Sequence, residues 1–239
     1  DSKYSILNGV NLIRLDTPVF NKFNLWKRLL AFLNICFMFY REARKLEIQK
    51  DCHVMAVTNP ALFILFIAHL KNKIKFKLTI LVHDVFPEVL VATKVLSSNN
   101  LIYKMLLMIF NKSYHKADQI IVCGRDMQKL FEKKLKKYKG TIKFISNWAD
   151  ANLIYPINKD KPVLFENKLT FQYAGNIGRA QGISYLIDAI KNINSSDFQF
   201  HFYGNGTHLN LISQSNNENI LYKGIFTRKE SNKYLNLCD

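Results

Sequence analysis

The chain has 239 residues, 49% of them hydrophobic, and its 34 Lys+Arg against 18 Asp+Glu leave a net charge of +16. That length holds one large or two small domains, and the hydrophobic share is that of a globular protein rather than a disordered chain. The charge points to an anionic partner, whether nucleic acid, anionic lipid or phosphorylated substrate, unless the lysines only keep the protein in solution.

Cys36, Cys52, Cys123 and Cys238 lack metal-ligand spacing, and the first three sit in apolar runs. They read as reduced thiols of a cytosolic protein. The chain opens on Asp1 in mid-pattern and ends at Asp239 just after a helical stretch, so a fragment with both ends missing is expected.

Residues 3–15 read as a hairpin: KYSIL, an Asn8-Gly9 turn whose two positions accept positive φ, then VNLIRL. Residues 24–46 read as one long helix. Its stretch 25–40 is nearly all apolar, between Lys27 and Arg28 at one end and Arg41, Arg44 and Lys45 at the other. It falls short of the about 20 uninterrupted apolar residues of a membrane span. Two readings stand: a buried core helix, or a helix that dips an apolar face into a bilayer with its cationic ends on lipid phosphates.

Residues 53–58 (HVMAVT) read as a strand broken by Asn59-Pro60, and residues 61–70 as a helix. Lys71, Lys73, Lys75 and Lys77 form a basic bridge into 77–82 (KLTILV), a β-branched, apolar run suited to a buried parallel strand. His83 and Asp84 stand directly at its carboxyl end, where open α/β sheets gather their ligands. A lone histidine is usually structural, but a His-Asp pair at a strand tip followed by Phe86-Pro87-Glu88 is a better site candidate.

Residues 101–114 read as an apolar-rich helix with Tyr103, Leu106, Leu107 and Phe110 on one face. A strand at 119–123 (QIIVC) precedes a helix at 126–137 with Met127, Leu130, Phe131 and Leu135 inward. Lys133, Lys134, Lys136, Lys137 and Lys139 on its outer face and exit read as a solvated face. Residues 142–145 form a short strand ending in Asn147-Trp148-Ala149-Asp150. Residues 151–167 have no period and contain Pro156 and Pro162. The linker is placed there, at 156–167, between domains 1–155 and 168–239.

Residues 171–182 (FQYAGNIGRAQG) run from β-prone residues into a loop with Gly175, Gly178 and Gly182. Ile183, Leu186, Ile187, Ile190 and Ile193 then recur at helical spacing. Strand, glycine loop and helix together form a phosphate cradle: the backbone comes close, and the free N–H groups and dipole of a helix start favour negative charge. Taken alone, the same residues equally form a tight strand–helix turn. A strand at 198–203 (FQFHFY), the turn Gly204-Asn205-Gly206, a helix at 207–213, a strand at 220–222, a loop from Gly224 and a helix at 228–237 complete the chain. Strands and helices alternate on both sides of the linker, so the fold class is α/β with two parallel-sheet domains.

Five segments in this order carry a resemblance: ILVHDVFPEVLVA (80–92), ADQIIVCGRDM (117–127), FISNWAD (144–150), FQYAGNIGRAQGISYLIDAI (171–190) and HFYGNGTHL…YKGIFTRKE (201–230). Together they resemble family-4 glycosyltransferases of GT-B architecture, most of all the bacterial fucosyl- and fucosaminyltransferase-like enzymes of O-antigen and colanic-acid clusters. The resemblance implies two Rossmann-like domains facing a cleft, with acceptor bound by the N-terminal domain and nucleotide sugar by the C-terminal one. It implies that His83 and its neighbour Asp84 face the transferred sugar or acceptor. By the same likeness Gly175 lies near the donor diphosphate, Gly204 and Gly206 form the turn on the nucleotide side, and Lys223, Gly224 and Ile225 run along the base. Asn147 and Asp150 match the hinge motif.

Asn176 and Gln181 occupy positions that are Arg and Lys, on the diphosphate, in many members, which leaves Arg179, beside Gly178, as the expected cation. A glycine-rich strand-loop ahead of Asp1 and a ribose-binding acidic motif beyond Asp239 are expected by the same likeness, so the 239-residue chain is expected to be inactive alone.

The reaction implied is retaining transfer of a sugar from a nucleoside diphosphate sugar to a polyprenyl-diphosphate-linked saccharide. It needs no cofactor and no metal, and takes place on the anionic inner face of the bacterial plasma membrane. Two rivals remain. A nicotinamide-dependent oxidoreductase would also use Gly175, Gly178 and Gly182, but expects a carboxylate after the next strand, where Tyr203-Gly204-Asn205 stands. A basic module without enzymatic activity fits the charge, but its aromatics are not interleaved with the lysine runs as nucleic-acid stacking requires.

Overall fold

The structure, a computed structural model, describes residues 3–17, 25–157 and 168–238, and within those all side chains but those of residues 25–29 and 179. It forms two compact units, Asp1–Asn147 and Trp148–Asp239.

The first unit opens on an antiparallel hairpin of β1 (Tyr4–Leu7) and β2 (Val10–Ile13), with Asn8 and Gly9 turning at φ 49 and 79. Helix α1 (Leu25–Lys45) follows. Its Ile35 and Cys36 are buried, and Phe39 and Tyr40 pack against Phe63 and Phe66 with ring centroids 5.6 and 5.7 Å apart. Leu30, Leu33 and Phe37 are exposed. The apolar stretch is thus core on one side and apolar surface on the other. Among the described residues no helix is long and apolar enough to cross a membrane.

The strands β3 (His53–Val57), β4 (Lys77–Val82), β5 (Gln119–Val122) and β6 (Thr141–Phe144) form a parallel sheet in that order. They are connected by α2 (Phe63–Ile74), α3 (Glu88–Ala92), α4 (Leu101–Tyr114) and α5 (Arg125–Lys134). Strands adjacent in sequence are adjacent in the sheet, so right-handed crossovers bring α2, α4 and α5 to one face. Leu78, Ile80 and Val82 of β4 and Ile120 and Val122 of β5 meet Ile64, Ile67, Leu70, Phe110, Tyr114 and Phe131 there in one core.

Helix α5 departs from the sequence reading at two positions. Leu130 is 38% exposed rather than inward, because it lines the cleft described below. Lys134 is buried rather than solvated, its side chain 4% exposed. It follows Met127 and Phe131 by helical spacing, so it shares their core-facing stripe.

The second unit is a parallel sheet of β7 (Leu169–Ala174), β8 (Phe198–Tyr203) and β9 (Ile220–Gly224), with α6 (Ile183–Lys191), α7 (Leu209–Ser213) and α8 (Ser231–Leu235). Ile177, Ile183, Ile187, Ile190, Phe198, Phe202, Ile212 and Ile220 form its core. Ile193 lies beyond the end of α6 and is half exposed, not on the helical stripe. Tyr203 gathers Phe226 and Tyr234 at 5.2 and 5.5 Å on the way into α8, which the Thr227–Glu230 capping box precedes.

Of the linker expected at 156–167, residues 158–167 lie outside the described residues. Just before them, Tyr155 and Ile157 N–H donate to Asn232 Oδ1 (2.9 Å) and Asn236 Oδ1 (3.0 Å) of the α8 region.

Candidate active site

The expected site residues fall into two groups, one on each unit, and both stand at the carboxyl ends of parallel strands, where such sheets place their ligands. On the first unit, His83 and Asp84 follow β4 directly and are exposed. Thr58, just past β3, crosses to them: its Oγ1 accepts His83 N–H at 3.0 Å and Asp84 N–H at 3.4 Å, and its own N–H donates to Leu81 O at 3.1 Å. On the opposite side Val82 pairs with Val122, so the next residues, His83 and Cys123, are neighbours. Cys123 Sγ lies 3.6 Å from His83 Nδ1. The thiol donates to Nδ1 when the ring proton is on Nε2, and the sulfur accepts when the proton is on Nδ1.

A cleft of about 300 Å³ opens beside the pair, lined among others by His83, Asp84, Glu88, Asp126, Met127 and Leu130. Its α3 wall is latched from behind by Lys134, whose Nζ donates to Phe86 O (3.0 Å) and Glu88 Oε2 (2.6 Å) and stands 5.1 and 5.6 Å over the rings of Tyr114 and Phe131. Burial pushes the Lys134 ammonium below the usual lysine range, and Glu88 pulls it partly back. Three carboxylates and an imidazole around an open cleft can hold and orient a molecule rich in hydroxyl groups.

On the second unit two glycine segments lie backbone on backbone. Gly175 N–H donates to Tyr203 O (3.0 Å), Ile177 N–H to Asn205 O (2.9 Å), and Ile177 O accepts His208 N–H (2.9 Å). A Cβ on Gly204, whose φ is +132, would stand 1.8 Å from Gly175 O, and one on Gly206 would stand 2.2 Å from Ile177 O. Side chains are therefore excluded at both positions. Gly204 N–H donates to Gly224 O (2.8 Å) and Tyr222 Oη to Gly204 O (3.0 Å), which ties in the end of β9. Tyr173 Oη donates to Asn176 O (2.8 Å). Gly175, Asn176, Gly204, Gly206, Lys223, Gly224 and Ile225 thus share the carboxyl edge of one sheet, and Ile225 is exposed there.

Two features of this loop differ from a direct strand–loop–helix cradle. The N–H groups of Gly175 and Ile177 bond the neighbouring turn, and a short 3-10 turn, Arg179–Gln181, precedes α6. Asn176 and Gln181, where cations are common in the resembling family, bond each other (Nδ2 to Oε1, 3.1 Å) across Gly178. The Arg179 side chain lies outside the described residues. Behind Lys223, the buried His201 is pushed down to about 4 by burial and by the lysine's charge.

Asn147 ends the first unit, while Asp150 opens a turn of the second. Its Oδ1 accepts Asn152 N–H (3.2 Å) and its carbonyl accepts Leu153 and Ile154 N–H (3.0 and 2.8 Å). Among the described residues no group of three or more His, Cys, Asp and Glu is placed to hold a metal ion. Sequence reasoning missed Thr58, Cys123, Tyr173, Tyr222 and the Glu88–Lys134 pair. The signal for Thr58 and Cys123 is strand order: each stands just past a strand neighbouring β4.

No protein-family model matches the chain. It is 33% identical over 231 residues to the probable glycosyltransferase WbjE of Pseudomonas aeruginosa, a match that covers 93% of this chain and 57% of that protein. The chain therefore spans little more than half the length of that relative. Among solved structures, sucrose-phosphate synthase from Thermosynechococcus elongatus matches with a TM-score of 0.67 at 15% identity, over 100% of this chain and 61% of its own. HepE from Anabaena, solved with UDP-glucose, matches with a TM-score of 0.59 at 15% identity, over 87% of this chain and 55% of its own. At such identities the solved structures speak for the fold alone, and that fold, mixed α/β with parallel sheets, is the fold of the GT-B glycosyltransferases.

Proposed function

We propose that the chain is part of a retaining, hexosyltransferase-type glycosyltransferase. It moves a sugar, fucose or an N-acetylated amino sugar, from a nucleoside diphosphate sugar to a polyprenyl-diphosphate-linked saccharide. The setting is the inner face of a bacterial plasma membrane, in the synthesis of O-antigen or another surface polysaccharide. The first unit takes the acceptor and the second unit the donor. The observation that carries the reading is the interlocked Gly175–Ile177 and Gly204–Gly206 backbone at the carboxyl edge of a parallel sheet, together with the likeness to WbjE.

The chemical difficulty is the negative charge that builds on the departing diphosphate. Fixed N–H donors and a nearby cation relieve it without reorganising. In this reading the backbone from Gly178 to Gly182, ahead of α6, supplies the donors, since the Ile177 N–H is already taken by Asn205 O; Arg179 supplies the cation, and Lys223, Gly224 and Ile225 hold the base. His83 and Asp84 orient the sugar and the attacking hydroxyl. Beyond the nucleotide sugar the reaction uses no cofactor. The tip of β8 offers no carboxylate for an adenosine ribose, which counts against a nicotinamide enzyme.

Calorimetric titration of the full-length protein with UDP-, GDP- and dTDP-sugars tests the donor side. Binding of one of them, weakened about tenfold or more by Arg179→Ala, is expected. Unchanged affinity in that variant removes Arg179 from the site. Preference for NAD(P) or RNA over every nucleotide sugar overturns the reading.

A further inference from the structure

Between Glu88 and Asp118 the chain carries Lys94, Lys104, Lys112 and Lys116 and not one carboxylate. The helix in this stretch, α4, packs Phe110 and Tyr114 into the core and Leu106 against it. Its other side is not polar. Leu101 is 80% exposed, Met108 66% and Ile102 55%, and Met105 and Ile109 are exposed beside them. At 100° per residue these five share one arc about a third of a turn wide, with Lys112 in the same row and Lys104 on its border. A solvated helix face ordinarily carries polar residues, and contiguous exposed apolar surface marks an interaction site. Lysines around an apolar arc, without carboxylates, complement an anionic bilayer, whose phosphates take the cations while its acyl boundary takes the apolar side chains.

We propose that the outer arc of α4 is the protein's membrane-contacting surface. Leu101, Ile102, Met105, Met108 and Ile109 enter the headgroup–acyl boundary of an anionic leaflet, and Lys104 and Lys112 meet its phosphates. This rests on the proposed lipid-linked acceptor. It also places the acceptor cleft close to the lipid, since Val89 and Ala92 of its α3 wall lead within ten residues into α4. Helix α1 is the rival anchor on this protein, with Leu30, Leu33 and Phe37 exposed.

The test is flotation of the full-length protein with phosphatidylcholine vesicles, with and without phosphatidylglycerol. The wild type should float with the anionic vesicles and less so as salt rises. Leu101→Glu/Met108→Glu should lower the bound fraction at least about tenfold with unchanged melting temperature. Lys104→Glu/Lys112→Glu should abolish the preference for phosphatidylglycerol.

The proposal is overturned if Leu101→Glu/Met108→Glu floats like the wild type, or if binding is lost only in Leu33→Glu/Phe37→Glu on α1. A change of oligomeric state in Leu101→Glu/Met108→Glu also overturns it, since the face is then a protein interface. Transfer to a short-chain, water-soluble acceptor should be equal in all these proteins. A wild type that floats through α4 but transfers to no acceptor refutes the proposed function and leaves the membrane face standing.

Discussion

Three glycines of the second unit separate two costs of adding a methyl group. At Gly224 the φ is +91 and nothing lies within 4 Å of the added Cβ, so Gly224→Ala carries only backbone strain, about 1–2 kcal/mol. At Gly206 the Cβ meets Ile177 O at 2.2 Å and Ile177 C at 2.5 Å, which are main-chain atoms that cannot rotate away. Relieving that contact strains or breaks the bonds from Ile177 N–H to Asn205 O and from His208 N–H to Ile177 O. Each is worth about 1 kcal/mol, and overpacking adds about 1–3, so Gly206→Ala should cost about 3 kcal/mol. Gly204 combines φ +132 with a Cβ 1.8 Å from Gly175 O, and Gly204→Ala should cost about 4 kcal/mol or more. Urea unfolding of the full-length variants, followed by circular dichroism, should give that order with an unchanged m-value. Nucleotide-sugar affinity should fall in the same order. If Gly224→Ala is as costly as Gly204→Ala, or Gly206→Ala is neutral, the two loops do not lie backbone on backbone.

Two further expectations concern charge. Glu88→Gln leaves the Lys134 ammonium buried without its carboxylate and should cost about 2–3 kcal/mol at pH 7. Lys134 already has a lowered folded value, so the penalty for its charge is full at neutral pH and is relieved as pH rises towards the ordinary lysine range. Unfolding of Glu88→Gln and wild type should therefore converge in alkali, and a constant gap would show that Lys134 is not buried. His201 is held at about 4 against an ordinary value near 6.5, so the unfolded chain takes up the extra proton between those values. Stability is full above about pH 6.5 and should fall as the pH drops from 7 towards 4.5, a slope absent in His201→Gln. An equal slope in both proteins would assign the acid sensitivity elsewhere.

How much of this was legible beforehand depended on whether the cause was local. The runs KLTILV and FQFHFY and the helix at 101–114 have the bounds their patterns announce, because periodicity and β-branching lie within the segment itself. The hairpin turn at Asn8-Gly9 is local in the same sense. The burial of Lys134 is not local: its partner Glu88 is 46 residues away, and a lysine run looks solvated until that carboxylate is known. Cys123 became visible beside His83 only once β4 and β5 were known to be neighbours. The tight contact of Gly204 with Gly175 likewise needs β7 and β8 in register, since nothing in a glycine turn announces which backbone it meets. Asn176 and Gln181 could be singled out by resemblance, but their bond to each other needed the 3-10 turn that brings them across Gly178.

The central claim is sugar transfer, and product mass tests it most directly. The full-length protein would be incubated with a polyprenyl-diphosphate-linked saccharide and UDP-, GDP- and dTDP-sugars in turn, and the lipid fraction analysed by mass spectrometry. With one donor the acceptor should gain the mass of a single glycosyl residue, and His83→Ala should lose most of that product while still binding donor. An acceptor unchanged in mass with every donor, in protein that binds nucleotide sugar and membrane, would contradict the assignment of a glycosyltransferase.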